Sequence, residues 1–146
     1  MRNLALPFTL LAAASMMAFT PLAPKPPVRL AGNWTYQAPE LVLKGKDKEG
    51  KEMELRCSMR DVTLTFEEKA NVLTGFSRGG TLRCAGSPER PVTEDPIANA
   101  EVHGDSVVFR IGPFVHRGKV TRNRIQGAIT SVRQPATGRF EMTRAR

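Results

Sequence analysis

The chain has 146 residues, a formal net charge of +8 and only 6% aromatic side chains, with two cysteines, one tryptophan and one tyrosine. That length holds one ordinary domain with a modest core, and so few aromatics argue against a nucleic-acid partner, which needs stacking faces. The basic surplus is uneven: Val28 to Val102 carries 11 basic and 12 acidic residues, while His103 onward carries 9 basic and 2 acidic.

The chain opens as an address. Arg2 is followed by an apolar run from Leu4 to Phe19, with no acid before Glu40. Roughly sixteen residues as a helix span about 24 Å, short of a bilayer crossing, and Pro7 interrupts them. The expectation is a secretory leader over residues 1–20, and hence a secreted or periplasmic protein. "PLAPKPPVRL" then reads as a Pro-rich spacer over residues 21–29, with a folded domain over 30–146. In such a chain Cys57 and Cys84, lacking metal-like spacing, are expected to form a disulfide.

After Leu30 the hydrophobic period is two. On the first strand Trp34 and Tyr36 share a face, with Thr35 opposite; Asn33-Trp34-Thr35 also has the form of a glycan acceptor, a reading that requires Asn33 exposed beside a buried Trp. "EMELRC" places Met53, Leu55 and Cys57 on one face, and "DVTLTF" does the same for Val62, Leu64 and Phe66. The parity changes between them, so a bulge or tight turn belongs near Arg60 and Asp61. Gly79 and Gly80 give a hairpin signal between "VLTGFS" and "TLRC". Ser87 to Pro96, with three prolines, reads as the one long loop. Hairpins are expected with turns at His103 to Ser106 and at Thr121 to Arg124. Phe140, Met142 and Arg144 share a parity on the last strand. The glycines at 75, 118 and 127 fall mid-strand, where they mark a bend or a close backbone approach. These signals describe an all-β domain: a single antiparallel meander barrel of eight to ten short strands.

The "GNW" of the first strand and the "GRFEMTR" of the last resemble the lipocalin and avidin (calycin) barrels. There a Gly, any residue, then Trp opens the barrel and a basic side chain from the final strand packs across the indole. The resemblance implies barrel closure by Gly32, Trp34 and Arg144. Segments such as "LTG", "IQG" and the terminal "G.F...R" are similar to small secreted bacterial barrels of unassigned function. The avidin biotin site uses several tryptophans, and this chain has one.

Chemistry-bearing patterns are sparse. His103 and His116 are the only histidines and read as ordinary turn and strand residues; no metal set, nucleophile elbow, phosphate loop or carboxylate pair with ligand or catalytic spacing occurs. No catalytic residue, metal or cofactor is therefore expected. What remains is a choice for the inward aromatics between filling the core of so short a barrel and lining a pocket, with Tyr36, Phe109, Phe140 and Met142 the candidate lining for a small apolar ligand. A candidate basic face of Arg110, Arg117, Lys119, Arg122 and Arg124 could meet an anionic partner, or be a solvated outer face that suppresses edge pairing.

Overall fold

Alternating side chains leave each strand with one face to bury, and a sheet of such strands closes on itself when its two edge strands can pair. A computed structural model describes residues 22–23 and 28–146; the expected leader and most of the Pro-rich spacer lie outside the described residues. Among those residues there are ten strands and no helix: β1 (Gly32–Lys46), β2 (Glu52–Lys69), β3 (Val72–Arg78), β4 (Thr81–Cys84), β5 (Arg90–Pro91), β6 (Asp95–His103), β7 (Ser106–Ile111), β8 (Phe114–Thr121), β9 (Arg124–Ser131) and β10 (Ala136–Arg144). Every pairing is antiparallel. The order runs β1, β10, β9, β8, β7, β6, β3, β2, and β2 pairs back to β1, closing a ring of eight. The all-β antiparallel barrel expected from the sequence is thus what forms.

The inward face follows the parity of the sequence. Trp34 and Tyr36 from β1, Leu64 and Phe66 from β2, Phe109 from β7, Ile125 and Ile129 from β9, and Phe140 and Met142 from β10 are all buried. Asn33, one position from a fully buried Trp34, is exposed and accepts a hydrogen bond from the Thr65 hydroxyl at 2.8 Å. Strand alternation therefore meets the exposure condition that the glycan reading requires, which is no obstacle to it.

The parity change in β2 is a bulge, as expected. Tyr36 faces Val62 while Ala38 faces Met59, so β2 carries one extra residue, and Asp61 takes φ 59° to accommodate it. The Gly79-Gly80 pair is a correction: it makes no hairpin. β3 and β4 run in one register along β2, with Thr63 opposite Arg78 and Arg60 opposite Thr81. The glycines lie across from the bulge, and a Cβ on Gly80 would sit 2.5 Å from the Arg60 carbonyl oxygen. They clear space for the bulge instead of reversing the chain.

Three further differences have local causes. β1 and β2 are not short: at 15 and 18 residues they bend at irregularities and continue. The Ser87 to Pro96 segment is not all loop, because Arg90 and Pro91 pair with β4 and Pro96 already pairs with Phe76 from β6. Val28 packs against the core, so residues 28 and 29 join the fold where a spacer was expected. The turns at Gly104-Asp105 and Arg122-Asn123 fall where the sequence places them.

Cys57 and Cys84 form a disulfide between directly opposed positions of β2 and β4. In the chain-entropy picture a loop of this size is worth about 3 to 4 kcal/mol. The bond tethers β4, and with it β5, to the ring. It is consistent with an extracellular or periplasmic compartment. Among the described residues no helix is long and apolar enough to cross a membrane.

Candidate functional site

The two ends of the barrel are built differently. At the end where β1 begins, Trp34 is fully buried and its indole Nε1 donates to the Leu30 carbonyl at 2.8 Å. The Arg144 guanidinium lies 4.3 Å from the indole ring. Its nitrogens donate to the Ala31 carbonyl at 2.9 Å and the Arg29 carbonyl at 2.6 Å, lashing residues 29–31 across the end. A planar fork satisfies two backbone acceptors while its face stays on the ring, which an ammonium does not do. Gly32 adopts φ 119°, and a Cβ there would meet Arg144 Nη1 at 3.1 Å. Arg144 therefore lies against Trp34 and leaves little room for a side chain at position 32.

The middle is filled by aromatic rings. Phe109 packs edge-on to Phe66 at 5.4 Å and edge-on to Phe140 at 5.8 Å, and Tyr36 stacks on Phe140 at 6.0 Å. Met142 is fully buried with them. His116 belongs to this cluster, its ring parallel to Phe109 with centroids 4.7 Å apart. It is no ordinary strand histidine. It occupies an inward position of β8 and its Nε2 lies 3.0 Å from the Tyr36 hydroxyl. The alternation of β8 was the available signal, since His116 and Val120 share the buried parity.

The opposite end opens into a cavity of about 420 Å3. Tyr36 and His116 lie in its lining together with the apolar side chains of Met59, Val62 and Leu82. The segment Arg90 to Asp95 and the Gly112-Pro113 turn between β7 and β8 complete it. Ser77, buried, donates to the Asp95 carbonyl at 3.3 Å and ties that segment to β3. Of the four candidate lining residues, Tyr36 borders this cavity, while Phe109, Phe140 and Met142 take the core role in the filled middle. A second depression, of about 580 Å3, is bordered by Lys44, Lys46, Glu52 and Glu54, all exposed, and has no comparable apolar wall.

Electrostatically the inner end of the cavity is neutral. Burial pushes the His116 imidazole down to about 3, against a smaller upward pull from the Phe114 backbone, and burial pushes the Tyr36 phenol well above its ordinary range. The His116 Nδ1 is buried and has no partner in full hydrogen-bonding geometry, the Phe114 backbone acting only as that weaker pull on the ring. A histidine held neutral in the fold takes up a proton first in the unfolded chain. Its contribution is therefore complete above the unfolded value near 6.5 and is lost as pH falls from there toward about 3. Urea titrations should show stability falling by about 2 kcal/mol between pH 7 and pH 5, with His116→Gln removing most of that slope. An unchanged slope in the variant would assign the pH dependence elsewhere.

The basic residues lie on the outside. Arg110 of β7 and Arg117 and Lys119 of β8 alternate with the buried Phe109, His116 and Val120. Arg117 donates to the Thr130 hydroxyl at 3.3 Å, and among the described residues none of the three has a carboxylate within ion-pair distance. Arg122 is exposed in the β8/β9 turn, and Arg124 is paired with Glu141 at 2.7 Å, so it adds no free charge. Among the described residues no group of three or more His, Cys, Asp or Glu could hold a metal ion.

Fold and site together define a closed eight-stranded antiparallel barrel with one end plugged, an aromatic middle and one open, apolar-walled mouth. No protein-family model and no curated protein sequence matches this chain.

Proposed function

We propose that this is a lipocalin-like binding protein, exported to an oxidising compartment, that holds a small apolar or amphipathic molecule in the mouth of the barrel. The carrying observation is the cavity of about 420 Å3 at the end opposite the Trp34 plug. Its volume lies in the range of small-molecule sites, and its wall of Met59, Val62 and Leu82 over a few polar groups is the composition such sites share. The leader pattern and the Cys57 to Cys84 disulfide support export.

The test is retention of ligand. Protein incubated with a lipid extract, repurified and analysed by mass spectrometry should carry a stoichiometric small molecule. Leu82→Trp, which fills the cavity wall, should lose it while keeping the fold. A parent that emerges empty and a variant that binds apolar dye equally well would sink this reading.

A second reading rests on a separate observation, Arg110, Arg117 and Lys119 on the outer face of two adjacent strands, without a carboxylate partner among the described residues. They would attract an anionic surface or partner at long range. The same preparation mixed with anionic vesicles should then bind in low salt and release steeply as salt rises; binding indifferent to salt would remove it.

A further inference from the structure

We propose that the mouth takes its ligand polar end first, and that this end is an uncharged hydroxyl or carbonyl group meeting the Tyr36 hydroxyl and His116 at the inner end of the cavity. This rests on the binding reading above and specifies its ligand class.

The pair is out of place as filling. Phe109 and Phe140 pack against these two side chains, and a phenylalanine and a leucine would fill the same space without polar atoms to satisfy. Their hydrogen count is unbalanced. A neutral imidazole and a phenol bring two heteroatom hydrogens and several lone pairs, and the single contact between them, at 3.0 Å, uses one of each. If the phenol donates, a hydrogen remains at Nδ1, which has no bonded partner, and the phenol oxygen keeps free lone pairs. If the imidazole donates, the phenol hydrogen is left over. In both arrangements the buried pair retains bonding capacity, and both of its residues border the cavity. A hydrogen is left over in either one, which a carbonyl can accept and which a hydroxyl can accept while donating in turn to a free lone pair.

Charge selects among polar heads. Among the described residues the only charged ones bordering the cavity are Arg90 and Asp95, and these belong to the segment that closes its outer rim, where Arg90 is exposed and Asp95 half-buried. The inner end offers dipoles and no counter-ion. A carboxylate driven there would lose its water without gaining a cation, whereas an alcohol loses little that the pair does not return.

The experiment compares three probes by fluorescence displacement at pH 8: decanol, decanoate, and diphenylhexatriene, a dye with no hydrogen-bonding group. In the parent, decanol should bind at least tenfold more tightly than decanoate. In Tyr36→Phe, decanol should weaken by about tenfold, the worth of one lost hydrogen bond, while the dye stays within about twofold. Decanoate binding more tightly than decanol would overturn the inference by placing the head at the Arg90 rim, as would decanol and dye responding alike to Tyr36→Phe. The decanol to decanoate ratio needs only the parent protein, so the inference stands or falls even if the variant misfolds. Failure of dye and decanol alike to bind the parent removes the binding reading and this one with it; failure of the head-group preference alone removes only this one.

Discussion

Trp34→Ala is expected to lower the free energy of unfolding by about 3 to 5 kcal/mol, the range for removing a large aromatic side chain from a packed core. The lost area is only part of the reason. The indole caps the Leu30 carbonyl, which would be left buried without a donor, and it is the surface on which Arg144 rests while reaching the carbonyls of Ala31 and Arg29. Removing it loosens the strap of residues 28–31 as well as opening a void. Arg144→Lys separates the two contributions: it keeps a cation near the ring but loses the fork, and should cost about 1 to 2 kcal/mol. Guanidinium titrations of both variants check this. If the alanine variant unfolds at the parent midpoint, Trp34 does not close the barrel.

Gly127→Ala should be comparably severe although it adds one methyl group. Gly127 of β9 faces Gly118 of β8 across the ladder, and Phe140 of β10 pairs on its other side. A Cβ at Gly127 would lie 2.0 Å from the Arg117 carbonyl oxygen and 2.5 Å from the Gly118 Cα, and one at Gly118 would lie 2.9 Å from the end of the Phe140 ring. Backbone atoms cannot move aside as a flexible side chain does, so the β8/β9 ladder must open. That places the cost at or above the top of the usual overpacking range, about 3 kcal/mol or more. Gly45→Ala is the control, since nothing lies within 4 Å of a Cβ there, and its melting temperature should match the parent's to within a degree or two. A Gly127→Ala protein as stable as the Gly45→Ala one would mean that the two facing strands are further apart than described.

These two residues show what was legible at the level of sequence. Trp34 announced itself through the "GNW" opening and the inward parity it shares with Tyr36, and its partner Arg144 through the parity of the last strand. Gly118 and Gly127 were legible as mid-strand glycines needing a bend or a close approach, but not as each other's partners. His116 was misread although the alternation of β8 gives it the inward parity it shares with Val120; that it meets Tyr36, 80 positions away, is decided only by the closure of the ring. The Gly79-Gly80 pair was misread for a related reason. Two glycines in the left-handed region suit a turn and a bulge equally, and the choice between them is made by what lies on the neighbouring strand.

By itself, then, the sequence determined the class of fold, the inward set of residues apart from His116, the β2 bulge and two hairpin turns. All of these follow from period-two alternation and from short-range backbone preferences, which act between residues near in the chain. Only the tertiary structure decided which strands close the ring, that β3 and β4 continue one another, and that the end opposite the Trp34 plug opens on a neutral tyrosine and histidine pair. Those outcomes depend on register and on side-chain volume summed around eight strands, quantities that no local stretch of sequence contains.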